Sequence, residues 1–372
     1  MMGSAVAFDL ARSANVDRVT LADVEYRRAT ASAAKIASPL VQPLQLDVED
    51  PEQLVGEMEN HDVAIGATSY RHNVVLSKGA IKAGIHFCDL GGNDDIVKEQ
   101  LALNARAKER NVALIPNCGL APGLANILAA RGAELFDSVE SIRMRVGGLP
   151  KHPVPPFNYQ IVFSAEGLLN EYTGKSFVIR NGKLASVDTL TEVEAIDFPP
   201  PFGTLEAFHT SGGASTTPQL FEGRVRELDY KTIRYPGHCE KFRMLLEVGF
   251  GSDEPVSVGA NLLTEKEIFL ELLKKKIPQS GPDVVLMRVT IAGKKEMRNR
   301  SLTFTMIDFY DETHNISAMM RGTAYPTSVI AQFLGAGTIT QHGAMTPEQS
   351  VPLEPLLHEL QTRGMVISQE WS

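Results

Sequence analysis

Ser4-Ala5-Val6-Ala7-Phe8-Asp9-Leu10-Ala11-Arg12-Ser13, followed by Val19-Thr20-Leu21-Ala22-Asp23, is the stretch on which the fold turns. Val6, Leu10 and Ala14 recur at helical spacing among small residues, which predicts a helix. The β-rich run 19–22 ends in an acid, which predicts a strand with a polar tip. Outward from it, apolar runs at 44–48, 62–68, 85–90 and 112–115 alternate with helical composition at 72–83 and 94–108. Alternating strands and helices predict an α/β domain built on a Rossmann-type doubly wound parallel sheet.

Gly3 and Asp23 carry the cofactor reading. In a dinucleotide fold the third fingerprint glycine lets the first helix approach the first strand, and an acid about 20 residues on binds the adenosine ribose hydroxyls. Gly3 and Asp23 fit that distance. An acid there repels a ribose phosphate, which favours NAD over NADP, while Arg27 and Arg28 just beyond soften the preference. The first strand and the first two fingerprint glycines are missing from the sequence, so the sheet is expected to lack its central strand and the chain to be a shortened form of a longer product. Without those glycines a nucleotide-binding protein with no turnover is a further alternative. Ser4 joins Gly3 on the phosphate side, Asp47 and Val48 fall where such folds meet the adenine, and Ala67, Thr68, Ser69 and Leu90 lie toward the nicotinamide side; ordinary loop roles are the alternative.

The chain has 372 residues, enough for two domains with separate cores. Its formal net charge of -9 argues against a nucleic-acid or anionic-membrane surface. No export signal or membrane-spanning run is visible, which predicts a cytoplasmic protein. Cys88, Cys118 and Cys239 lack zinc or redox spacing and are expected to stay thiols, and no histidine pair has metal-ligand spacing. The expected organisation is a dinucleotide-binding domain at 1–120, an α+β substrate and dimerisation domain at 121–322, and a C-terminal helical segment at 323–372 packing back near the first domain. In the second part, strands are expected at 141–146, 184–187, 231–234 and 284–292, with helices at 328–334 and 353–363.

The run Ile115-Pro116-Asn117-Cys118-Gly119-Leu120-Ala121-Pro122-Gly123-Leu124 resembles the saccharopine dehydrogenase-like superfamily. Gly147-Gly148-Leu149-Pro150, Phe163-Ser164-Ala165-Glu166-Gly167-Leu168, His209-Thr210-Ser211-Gly212-Gly213 and Thr232-Ile233-Arg234-Tyr235-Pro236-Gly237-His238 resemble its later blocks, in order. Within the superfamily the resemblance is greatest to the L-lysine 6-dehydrogenases. It implies NAD-dependent oxidation of the lysine side-chain amine, with ammonia release, and a homodimer. Saccharopine reductases carry Asp and His where this chain has Ala121 and Asn126, and a tryptophan near Phe163, whereas the single Trp here is Trp371. Saccharopine or carboxynorspermidine dehydrogenase, NADP-linked enzymes of secondary amines, is the alternative.

Amine oxidation needs a proton acceptor, an anchor for the substrate carboxylate and a partner for the amine. Arg234 is the candidate anchor, since a guanidinium matches a carboxylate with two parallel hydrogen bonds. Tyr159 and Ser164 complete the candidate substrate residues. Asp89, at an expected strand tip before Gly91-Gly92, takes the proton, orients the amine, or caps a loop. Glu166 is read either as the amine's counter-ion or as a helix-start residue. His209 is read either as an acid–base group in a glycine-rich turn or as a structural histidine.

Overall fold

The computed structural model describes residues 1–162, 164–259 and 261–372, so Phe163 lies outside the described residues. The chain divides into two compact units, Met1–Glu134 with Met320–Val366, and Leu135–Met319 with Ile367–Ser372.

The first unit begins with α1 (Met2–Leu10), β1 (Val19–Asp23), α2 (Tyr26–Ile36), β2 (Val41–Gln45), α3 (Pro51–Met58) and β3 (Val63–Gly66). It continues with α4 (Asn73–Ala83), β4 (His86–Asp89), α5 (Asp94–Leu101), α6 (Asn104–Glu109), β5 (Ala113–Ile115) and α7 (Leu124–Ala133). Local chemistry sets the boundaries. Asp50 accepts from the backbone of Glu52 and Gln53, with Pro51 opening α3, and Asn93 does the same for Asp95 and Ile96 at α5. Gly84, at φ 78°, closes α4. The run 94–108, expected as one helix, forms two. The second strand starts before Pro43 rather than after it, because β2 pairs with β1 alone among the described residues and an edge strand tolerates a missing N–H.

Among the described residues, every pairing between the strands of this unit is parallel. The expected Rossmann-type parallel ladder is present, and it is split. β1 and β2 form one sheet; β3, β4, β5 and the two-residue strand Gly343–Ala344 form another. Leu54, Met58, Leu76, Ile81, Phe87 and Leu114 make the core beneath the larger sheet. Asp9 joins α1 to the later helices: Arg363 Nε donates to its Oδ1 at 2.8 Å and Ser328 Oγ to its Oδ2 at 2.6 Å.

The second unit is sheet-rich. Its strands are β6 (Ser138–Pro150), β7 (Lys175–Arg180), β8 (Lys183–Asp188), β9 (Glu194–Phe198), β10 (Gly203–Phe208), β11 (Glu227–Arg234), β12 (Pro255–Val258), β13 (Asn261–Thr264), β14 (Asp283–Lys295), β15 (Arg298–Phe309) and β16 (Ile367–Trp371). The main sheet runs in the order β16-β15-β14-β6-β11-β10-β9, with β7 and β8 attached at β11. β6 and β11 are parallel and their other partners antiparallel. α8 (Ala165–Tyr172) covers one face with the helices His238–Glu247 and Glu265–Lys276, around Tyr172, Phe208, Phe242 and Phe269.

Candidate active site

In the first unit the carboxyl ends of the parallel strands gather most of the expected cofactor residues. Asp23 ends β1, Ala67 and Thr68 follow β3, and Asp47 and Val48 follow β2. Together with Gly3 and Ser4 they line one cavity of about 700 Å³. Ser69 and Leu90 stand outside this lining; Ser69 precedes a short helical turn, and the Leu90 amide donates to the Gly66 carbonyl at 3.4 Å. The cavity also runs between β1 and β3, whose residues line it on both sides. At one end Thr20 Oγ1 meets His61 Nε2 at 2.8 Å and Arg18 donates to the Asn60 carbonyl at 2.5 Å.

The chemistry of this cavity fits a dinucleotide. Gly3 sits in the first turn of α1, and a Cβ there would press on the Ala67 Cβ at 3.2 Å, so the small residue keeps helix and strand end close. The Asp23 carboxylate accepts from the Glu25 amide at 2.9 Å, which fixes it at the strand tip. Arg28 is held by Glu25 at 2.7 Å. Ser4 Oγ turns back to the Met1 carbonyl at 2.7 Å.

Asp89 ends β4 with no exposed surface. Its Oδ1 accepts from the amides of Gly91 (2.7 Å) and Asn117 (3.2 Å), and its Oδ2 from Gln100 Nε2 (2.6 Å). Burial raises its carboxyl to about 6, and these bonds act the other way. Asn117 lies so close to Gly91 that a Cβ on Gly91 would stand 2.2 Å from its Oδ1. Asp89 is thus the knot that ties together α5 and the two loops that follow β4 and β5. Cys88 and Cys118, free thiols beside it, are fully buried. Asn126, in the block shared with the superfamily, accepts from the Gly123 amide at 2.9 Å and caps α7.

The second unit holds the other group of expected residues. Arg234, at the end of β11, is 3% exposed. Its Nε donates to the Tyr172 hydroxyl at 2.9 Å and its Nη1 to the Ile233 carbonyl at 2.9 Å. The guanidinium lies 4.9 Å from the Tyr159 ring centre and 5.8 Å from that of Tyr172. A relay holds it in place. His238 Nδ1 donates to the Phe157 carbonyl at 2.9 Å, which leaves Nε2 to accept from the Tyr172 hydroxyl at 2.9 Å. Burial drives His238 down to about 3, so the ring stays neutral.

Glu171 Oε2 lies 3.8 Å from Arg234 Nη2, beyond hydrogen-bond reach, and a third of its side chain stays open. The buried Tyr159 hydroxyl makes no hydrogen bond of normal geometry. Sequence reasoning missed Glu171 and Tyr172. The available signal was Leu168, Leu169 and Tyr172, which share a helical face and carry Glu171 beside it.

The remaining expected residues have other partners. Ser164 accepts from the Gly167 amide at 2.9 Å and caps α8, and Glu166 is exposed in that helix's first turn. His209 is buried between the Tyr230 carbonyl and Glu192, each at 3.1 Å. It belongs to a charge network in which Arg180 pairs with Glu192, Arg145 bridges Glu194 and Asp229, and Lys231 reaches Glu194. Among the described residues no group of three or more His, Cys, Asp or Glu could hold a metal, and no helix is long and apolar enough to cross a membrane.

A parallel-sheet unit with a dinucleotide cavity, followed by a sheet-rich unit with a buried arginine, defines a pyridine-nucleotide-linked oxidoreductase. Comparison with known proteins makes the class specific. The family model described as saccharopine dehydrogenase NADP binding domain matches residues 1–115, and that described as saccharopine dehydrogenase C-terminal domain matches residues 119–365. The chain belongs to the saccharopine dehydrogenase family. It is similar to the L-glutamate-forming, NADP+ saccharopine dehydrogenase of Pyricularia oryzae, at 22% identity with 90% of each chain covered. The mitochondrial alpha-aminoadipic semialdehyde synthase of Mus musculus is 21% identical over 88% of this chain, which spans 42% of that protein. Among solved structures, apo saccharopine dehydrogenase (L-Glu forming) from Saccharomyces cerevisiae shares the fold, with a TM-score of 0.82, 17% identity, and 100% of this chain and 98% of that one covered. The homospermidine synthase from Legionella pneumophila, solved with NAD, superposes less closely, with a TM-score of 0.61 at 11% identity over 99% of this chain and 89% of that one.

Proposed function

We propose that this chain oxidises the C–N bond of a lysine-derived secondary amine of the saccharopine type. The observation that carries the reading is Arg234: a buried guanidinium, fixed through Tyr172 and His238, whose Nη2 makes no hydrogen bond of normal geometry among the described residues. A substrate carboxylate is the natural partner for such an edge. The relatives' names supply the amine: two of them are saccharopine dehydrogenases, one curated and one solved.

When bound, the nicotinamide dinucleotide supplies the hydride acceptor. The chain's own residues do the rest. The first turn of α1, with the small Gly3, would hold the pyrophosphate, and Asp23 would receive the ribose hydroxyls. Ala67 and Thr68 leave room on the nicotinamide side. Arg234 would hold the carboxylate; the protonated amine first loses a proton to solvent, and the carbon beside nitrogen then gives up its hydride. Water then attacks the iminium, releasing an aldehyde and an amine, which for saccharopine is glutamate. In this reading Asp89 holds the loops after β4 and β5, His209 holds the charge network of β11, and Ser164 and Glu166 serve the start of α8.

For the cofactor we favour NAD, because Asp23 occupies the strand tip and Arg28 is engaged by Glu25. The NADP+ in the fungal relative's name argues the other way. A second reading, oxidation of the primary side-chain amine of L-lysine, draws on Ala121 and Asn126, which replace the Asp and His of saccharopine reductases. Product analysis separates the two. With NAD or NADP supplied, L-saccharopine should yield glutamate, and this reading fails if L-lysine alone is consumed and ammonia appears.

A further inference from the structure

We infer that Arg234 and Glu171 together receive the zwitterionic head group of an α-amino acid, the carboxylate on the guanidinium and the ammonium on Glu171, so that Glu171 selects substrates bearing an α-amino group. The inference rests on the amine-oxidising reading above, and it applies to saccharopine and to lysine alike, since both carry such a head group.

Three observations support it. First, the two charges are set close without being joined. Arg234 Nη2 and Glu171 Oε2 are 3.8 Å apart, so each keeps hydrogen-bonding capacity for a third party. Second, they differ in access in the way a zwitterion requires. The Arg234 side chain is 4% exposed and immobilised by its relay, while that of Glu171 is 34% exposed and open to an incoming cation. Third, the surroundings hold spare polar capacity. The Tyr159 hydroxyl, on a residue 2% exposed whose ring lies 4.9 Å from the guanidinium, makes no hydrogen bond of normal geometry among the described residues. A purely structural ion pair would close the gap and satisfy that hydroxyl.

The electrostatics agree. Burial on its packed side pushes the Glu171 carboxyl up to about 7, with Arg234 opposing the shift. Near neutral pH the group is only partly ionised, and an ammonium set against it completes the ionisation. The adjoining carboxylate meanwhile meets a guanidinium that stays charged. An α-amino acid therefore presents its two charges in the complementary order. A ligand with the carboxylate alone satisfies Arg234 and leaves Glu171 unmatched.

The test is calorimetric titration of the chain, with NADH present, by L-lysine, L-saccharopine and 6-aminohexanoate, which keeps lysine's carboxylate but lacks its α-ammonium. The wild type should prefer the amino acids by about ten- to a hundredfold, the range expected for a charge-assisted hydrogen bond. Glu171→Gln should erase that preference while 6-aminohexanoate binds as before, and Arg234→Lys should weaken all three ligands. If Glu171→Gln keeps the preference, or weakens every ligand equally, the inference is overturned while the amine-oxidising reading survives. If the wild type binds none of the three and forms no NADH or NADPH with either amino acid, that reading falls and the inference with it.

Discussion

Asp89, expected as a proton acceptor, an amine-orienting group or a loop cap, is a buried carboxylate tied into three hydrogen bonds. Its position at a strand tip before two glycines was legible; its three hydrogen bonds were not, because Gln100 and Asn117 reach it from 11 and 28 residues away. Its folded pKa, about 6, lies above the ordinary 3.8, so the folded state takes up the proton more readily than the unfolded one. The contribution is fully present below pH 3.8 and is lost as pH rises through about 6, a change of about 3 kcal/mol at 1.36 kcal/mol per unit. Asp89→Asn keeps an acceptor for the Gly91 and Asn117 amides and can donate to Gln100 Oε1, which has no partner among the described residues. Urea titrations at pH 4 and pH 6.5 should show the wild type gaining stability relative to Asp89→Asn at the lower pH. A difference independent of pH would mean that Asp89 titrates alike in the folded and unfolded states. Arg234 was singled out as the candidate carboxylate anchor from its residue type and block. Its control by Tyr172 and His238 was not, since both partners come from elements that local patterns leave ambiguous.

Among elements, the alternation of strand and helix in the first 115 residues was readable because each strand is a short apolar run bounded by polar turns. The hairpin β14–β15 was only half read. Its first strand is mostly apolar between Val284 and Ala292, whereas β15 (Arg298–Phe309) opens with polar residues and follows Glu296 and Met297, both at positive φ without a glycine or asparagine to signal the turn. The helix Glu265–Lys276 went unread although Thr264 and Glu267 form a capping box visible in the sequence. The split of the first sheet has a dynamic consequence. β1 has a partner on one side only among the described residues, whereas β4 is flanked by β3 and β5, with Phe87 and Cys88 fully buried. Hydrogen exchange at neutral pH should find β1 amides at least about a hundredfold less protected than those of β4, since strands open locally where neighbours are few. Equal protection in the two strands would show that they unfold as one unit.

At the scale of the whole molecule, the α/β class and the family followed from patterns spread over most of the chain, while substrate and cofactor preference hang on a few positions. Asp23 speaks for NAD, Ala121 and Asn126 for a primary amine, and the relatives' names for saccharopine and NADP+. These indications diverge because charge and shape at single positions set specificity, and the fold carries all of the alternatives equally well. The common claim beneath them is amine oxidation linked to a nicotinamide dinucleotide. Absorbance at 340 nm tests it most directly, with the chain, L-saccharopine or L-lysine, and NAD or NADP in the four combinations. The account predicts amine-dependent growth of absorbance in at least one combination, reduced at least about tenfold by Arg234→Lys through the loss of the bidentate carboxylate contact. No growth in any combination, from a chain that still binds the dinucleotide, would contradict it.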